Sequence, residues 1–278
     1  KCAFSAPSVS RNASSAEPAG VLTRRIIYNH REVTMNKKYV LITGASRGIG
    51  AAIAEVFARH GYQLILNCCH SETALKALSD ELSDKYHVTV LPVIGDVSDP
   101  DFIANMFAMI HQQSLSVDVL INNAGISHIG LLQDMTYEQW QHVINTNLSS
   151  VFSCCKYALP DMLHKKSGRI LNISSVWGNV GASCEVAYSA SKGAVNSFTK
   201  ALAKEVAPSG ISVNAIACGT IDTSMNACFS AEERADLESE IPCGRYGTPV
   251  ETAELAYAIV SQSPYLTGQI ITLDGGWC

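Results

Sequence analysis

Charge is scarce in this chain. Of its 278 residues only 16% are Asp, Glu, Lys or Arg, against 47% apolar, and the formal net charge is -5. No run of Lys or Arg exceeds two residues, so no basic field gathers phosphate backbones and nucleic acid is excluded as a partner. Long apolar runs are missing too: none reaches the roughly 18 residues of a bilayer-crossing helix, so no membrane span or membrane partner is expected. The ten cysteines include the adjacent pairs Cys68/Cys69 and Cys154/Cys155 but no C-x-x-C, and the eight histidines never fall at H-x-x-x-H spacing. Both absences argue against a disulfide framework and a bound metal. Reduced thiols in a cytoplasmic protein fit the pattern.

What is present is enough apolar surface to offset ordering entropy over most of the chain, at a length that one large α/β unit can fill. Residues 1–34 are the exception: Ser5, Ser8, Ser10, Ser14 and Ser15 precede Arg24, Arg25 and Arg31, with little hydrophobic periodicity. Such a composition resembles an organelle leader, yet Met35-Asn36-Lys37-Lys38 reads as a natural start. Residues 1–34 are therefore expected to be a disordered or non-native extension, and residues 35–278 one domain. From Tyr39 onward, apolar runs at 39–43, 64–67, 88–93, 119–121, 170–173, 213–216 and 270–273 alternate with segments of helical period. Seven such β-rich runs with helices between them predict a single-domain α/β fold of Rossmann type, a doubly wound seven-stranded parallel sheet with helices on both faces.

The first run ends in Thr43-Gly44-Ala45-Ser46-Arg47-Gly48-Ile49-Gly50 and opens into a helical stretch with Ile53, Val56 and Phe57 on one side. Gly44 permits a tight turn, Gly48 lets backbone N–H groups approach a pyrophosphate, and Gly50 allows close packing of helix on strand. At the end of the second run, Leu66-Asn67-Cys68-Cys69-His70 carries no acid to accept from a ribose 2′-hydroxyl, so a 2′-phosphate meets no repulsion there. Arg47 offers it a guanidinium, and His70 adds to the site.

The G-x-x-x-G-x-G spacing resembles the glycine motif of short-chain dehydrogenases/reductases, and further motifs of that family follow in order. Asp96-Val97 follows the third run, Asn122-Asn123-Ala124-Gly125 the fourth, and Tyr188-Ser189-Ala190-Ser191-Lys192 forms a Y-x-x-x-K segment. Ser175 precedes Tyr188 by thirteen positions. The likeness spans about residues 37–277 and is strongest to bacterial 3-oxoacyl-(acyl carrier protein) reductases. It implies that residues 35–278 are a catalytic domain using NADP(H), with Asn147, Ser175, Tyr188 and Lys192 as the catalytic set. It also implies cofactor contacts from Gly44, Ser46, Arg47, Gly48, Ile49, Gly50, Asn67, His70, Asp96, Val97, Asn123, Ala124, Gly125, Tyr188, Lys192, Gly219, Ile221 and Thr223.

The chemistry fits the residue types: hydride addition to a carbonyl leaves negative charge on oxygen, which a positioned acid must protonate. Tyr188 is the expected donor; Lys192 is expected to lower its pKa and to hold the nicotinamide ribose, and Ser175 to hydrogen-bond the substrate oxygen. Asn147 matches an asparagine that supports a water chain to the lysine, though a backbone-satisfying amide at a helix kink fits the same position. The family's Pro-Gly after the sixth strand is Cys218-Gly219 here.

A ketone substrate is implied, and the likeness favours a 3-oxoacyl chain on a carrier protein. Lys165, Lys166 and Arg169 are the cations available to meet an acidic carrier. Trp177 and Glu185, however, stand where those reductases carry a smaller aliphatic residue and a glutamine, and both are expected to contact substrate. The stretch Ala182-Ser183-Cys184-Glu185 resembles reductases of a 5-aminopentanone group on elongation factor P, where Glu185 would pair with an amine; a solvent-facing glutamate complementing a helix dipole is the plainer alternative. A catalytically silent NADP-binding sensor is a further alternative, opposed by the retained Tyr188 and Lys192. The family also implies a homotetramer formed by two long helices, about residues 137–165 and 188–207, burying Phe152, Phe198 and Leu202.

Overall fold

The structure, a computed structural model, describes residues 37–226 and 229–278; the expected extension at 1–34 lies outside them. Seven strands form one parallel sheet in the order β3-β2-β1-β4-β5-β6-β7. They are β1 Tyr39–Ile42, β2 Gln63–Cys68, β3 Val90–Ile94, β4 Val119–Asn122, β5 Gly168–Ser175, β6 Ile211–Cys218 and β7 Ile270–Leu273. Alternate residues of each strand face opposite sides. Val40, Ile42, Leu64 and Leu66 pack with Phe57 and Ile259 in one core, while Leu41, Ile65, Ile170 and Val213 pack with Phe107 and Met162 in the other. Burial on both faces is why the strands read as unbroken apolar runs.

The helices are α1 Gly48–Arg59, α2 Glu72–Tyr86, α3 Pro100–Gln112, α4 Tyr137–Ile144, α5 Ser150–Lys165, α6 Trp177–Val180, α7 Val186–Val206, α8 Ala231–Glu240 and α9 Pro249–Ser261. Chain order reverses between β1 and β4, which opens a crevice at the carboxyl ends of these strands. No described helix is long and apolar enough to cross a membrane.

The structure alters two expectations about the long helices. The segment expected as one helix over 137–165 is two, α4 and α5, joined by a π-helical turn at Asn145–Ser149. Of the side chains expected to be covered by assembly, Leu202 is already buried within the chain and Phe198 packs partly against the core. Only Phe152, 53% exposed, remains uncovered.

Candidate active site

The glycine turn is held by residues far away in sequence. Thr43 Oγ1 accepts from the backbone N–H groups of Asn123 and Ala124, at 3.0 Å each, and Asn123 Nδ2 donates to the carbonyls of Thr43 (2.9 Å) and Gly44 (3.0 Å). Asn122-Asn123-Ala124 thus braces the turn from β4. Gly50 is required sterically: a Cβ there would lie 2.3 Å from Gly44 O and 2.6 Å from Asn123 Nδ2. The N-terminus of α1 opens directly into the resulting cleft, and its unpaired N–H groups and dipole favour an anion.

That cleft, of about 730 Å³, runs from Gly44, Arg47 and His70 past Asp96, Val97 and Gly125 to Ser175, Tyr188 and Trp277. All the expected cofactor residues line it: Ser46, Gly48, Ile49, Gly50, Asn67, Asn123, Ala124, Lys192, Gly219, Ile221 and Thr223 complete the set. Arg47 is exposed, and among the described residues its guanidinium has no carboxylate partner. Asn67 has a structural task as well. Its buried amide donates to the carbonyls of Val93 (3.2 Å) and Gly95 (3.0 Å), stitching β2 to β3 beneath the cleft. Asp96 closes a turn on Ser98 N at 2.8 Å.

The side chains expected to be catalytic converge at the other end. α7 begins at Val186, so Tyr188 and Lys192 lie one turn apart on its first turns, facing Ser175 at the end of β5. Lys192 is 4% exposed; its Nζ donates to Ile173 O at 2.8 Å and lies 5.6 Å from the Tyr188 ring centre. Burial lowers its pKa to about 8, with Cys218 opposing. Burial pushes the Tyr188 phenol well above its ordinary range, and the Ser175 hydroxyl offsets part of that rise. Ser175 and Lys192 thus both stand beside the phenol, the one by its hydroxyl and the other by its ammonium.

Asn147 sits in the π turn with both ends of its amide engaged. Oδ1 accepts from Ile126 N (2.8 Å), and Nδ2 donates to Ile126 O (2.9 Å) and Ser191 Oγ (3.0 Å). This is the brace at a helix irregularity, tying the loop after β4 to α7. Below the site, Asn122 Nδ2 donates to Asn172 Oδ1 and Asn172 Nδ2 to Thr199 Oγ1, which donates to Val195 O, each at 2.8 Å. That buried chain joins β4, β5 and α7.

Trp177 and Glu185 both line the cleft. Glu185 precedes α7 without capping it; it is half-buried, and burial raises its carboxyl pKa, with the adjacent Ser127 hydroxyl acting the other way. The Ser127 hydroxyl comes near the carboxylate without closing a hydrogen bond. The cations proposed for a carrier protein are elsewhere. Arg169 opens β5 and Lys165 ends α5, where Lys165 pairs with Asp118 at 2.6 Å just before β4. Residues preceding parallel strands lie at the amino edge of the sheet, opposite the cleft.

Sequence reasoning missed three contributors. Thr43 was seen only as the end of a strand; Cys218, buried, lines the cleft together with Tyr188 and Lys192; and Trp277 reaches the cleft from the chain end. Thr43 had a signal, a hydroxyl directly before a glycine turn.

The family model described as short chain dehydrogenase matches residues 38–234. The chain is 41% identical over 244 residues to the uncharacterized oxidoreductase YmfI of Bacillus subtilis, covering 87% of this chain and 99% of that one. It is 40% identical over 240 residues to the 3-oxoacyl-[acyl-carrier-protein] reductase FabG of Escherichia coli, covering 86% and 96%. Among solved structures, YwfH, an NADPH dependent reductase involved in bacilysin biosynthesis, superposes with a TM-score of 0.83 at 27% identity, over 87% of this chain and 98% of that chain. A protein described as an NAD(P) dependent gluconate 5-dehydrogenase from Beutenbergia cavernae, with NADP bound, gives 0.82 at 33% identity, over 86% and 96%.

Proposed function

The chain belongs to the short-chain dehydrogenase/reductase family, and from that premise we propose that it reduces a ketone to a secondary alcohol, with Tyr188 as the proton donor. It is an oxidoreductase, and its cofactor is NADP(H). The observation carrying the proposal is the meeting of Ser175, Tyr188 and Lys192 in one cleft with the Gly44–Gly50 turn.

When bound, NADPH supplies the hydride that the carbonyl carbon receives. The protein's part is the oxygen. Ser175 Oγ donates to it, and the Tyr188 phenol, protonated at neutral pH, releases its proton to it as charge develops. Lys192, with a pKa near 8, is largely cationic at pH 7 and faces the phenolate that this transfer leaves. Arg47 and the start of α1 meet the phosphates, and the end of β2, Asn67 to His70, carries no acid to accept from a ribose 2′-hydroxyl.

Two substrate readings divide on Glu185. The names of relatives favour a 3-oxoacyl chain on a carrier protein. Against this stand Lys165 and Arg169 at the far edge of the sheet and a half-buried carboxylate in the cleft. A ketone bearing a cation, such as an aminoketone on a protein, is the reading these two observations favour. The test compares an acetoacetyl thioester with 5-amino-2-pentanone, in the parent and in Glu185→Gln. The Michaelis constant for the aminoketone is expected to rise about tenfold, the equivalent of about 1.4 kcal/mol for a partly shielded pair, with the thioester unaffected. Equal effects on both substrates restore the acyl reading. A homotetramer built through α5 and α7, in a reducing cytoplasm, completes the proposal: Phe152 is exposed on α5, and all eight described cysteines are unpaired.

A further inference from the structure

We infer that the C-terminal tail is a wall of the substrate pocket, with Trp277 a specificity-determining residue and Asp274 the residue that positions it. The inference rests on the reductase reading and names the part of the ketone that this wall meets: a substituent with a flat or apolar flank.

Chain ends fray unless they are tied down. This one is tied at several points. Asp274 Oδ1 accepts from Gly276 N at 2.9 Å, and Oδ2 accepts from Cys278 N at 2.8 Å. Gly275 O accepts from Cys243 N at 3.1 Å. Gly275 and Gly276 turn the chain at φ +68° and +86°, a region other residues avoid. The root of the tail is pressed home as well, since a Cβ on Gly219 would lie 2.8 Å from Asp274 Cα.

The result of this tethering is a ring contact. The Trp277 indole meets that of Trp177 with centres 4.9 Å apart and planes inclined at 60°. Trp177 in turn donates its backbone N–H to Ser175 Oγ at 3.2 Å. The indole pair therefore stands next to the hydroxyl that receives the carbonyl oxygen, and both rings line the same cleft as Tyr188. Two partly exposed indoles facing a cleft leave apolar area in water, which a ligand's apolar flank covers. A ketone with a small substituent reaches Ser175 without touching them; one with a larger substituent packs against them.

The test uses 4-phenyl-2-butanone and 2-butanone with the full chain, its Trp277→Ala, Trp277→Phe and Asp274→Ala variants. The ratio of kcat/KM for the larger over the smaller ketone is expected to fall about three- to tenfold in Trp277→Ala, the size of one lost aromatic contact. Trp277→Phe restores most of the ratio, and Asp274→Ala lowers it like Trp277→Ala, with NADPH affinity unchanged in all three. Calorimetric titration of the NADP⁺-bound protein with 4-phenyl-2-butanone, a pair with no hydride to transfer, reads the same contact without turnover, as weaker binding in Trp277→Ala. An unchanged ratio and unchanged ketone binding overturn the inference. Weakened ketone binding with no ketone turnover by the parent with NADPH overturns the reductase reading instead and keeps the wall.

Discussion

Replacing Arg47 by alanine tests the contact proposed for it with a 2′-phosphate. The guanidinium is exposed at the mouth of the glycine turn, is free of carboxylates among the described residues, and precedes the first helical residue of α1. A hydrogen bond to a charged group contributes about 1.5–3 kcal/mol, and solvent exposure argues for the lower end of that range. About 1.4 kcal/mol is a factor of ten. The ratio of kcat/KM with NADPH to that with NADH is thus expected to fall about tenfold in Arg47→Ala, through KM for NADPH, with the NADH value nearly unchanged. Some preference should survive, because His70 and the start of α1 remain. Raising ionic strength should shrink the parent's preference and leave that of the variant almost flat. Initial rates with both cofactors at two salt concentrations measure all of this. An unchanged ratio, or equal efficiency with the two cofactors in the parent, refutes the assignment of Arg47 to the phosphate.

Three other outcomes are expected. Tyr188→Phe should bind NADPH normally by fluorescence titration yet turn over at least about a hundredfold more slowly; near-normal turnover removes Tyr188 as the acid. Lys192 has a folded pKa near 8, below its ordinary value of 10.5, so its burial costs stability in full below pH 8 and the cost fades as pH rises toward the unfolded value. Lys192→Met should therefore raise the melting temperature more at pH 7 than at pH 10, and parallel melting curves for variant and parent across that range contradict the buried cation. Phe152→Glu on α5 should dissociate the proposed tetramer in light scattering, whereas an assembly of unchanged mass places the contact elsewhere.

The sheet was legible because parallel strands buried on both faces leave unbroken apolar runs, and all seven expected runs correspond to strands. Their ends were less so. β5 and β6 each extend two residues before the expected start, since Gly168, Arg169, Ile211 and Ser212 pair by register and not by hydropathy. The π turn at Asn145–Ser149 leaves no periodic signature, because the partner that Asn147 binds in it, Ile126, belongs to another segment. Lys165 and Arg169 were misplaced for a reason the sequence did contain: they lie just before β5 and at its first residues, and the start of a parallel strand lies opposite its end. Trp277 was invisible because its partner, Trp177, is distant in sequence. The role of Lys192 followed from resemblance, whereas its bond to Ile173 O depends on how deeply α7 packs.

The buried amide chain through Asn122, Asn172 and Thr199 bears on how the protein finds its fold. Apolar side chains on α7 tolerate small rotations of the helix, but Thr199 does not. A slip of one residue would turn its hydroxyl about 100° away and leave the Asn172 amide unpaired in a fully buried place, at a cost of about 1–3 kcal/mol. The three residues thus act as an index mark, selecting one rotational phase of α7 among packings of similar hydrophobic content. Tyr188 and Lys192 inherit that phase, although neither touches the mark.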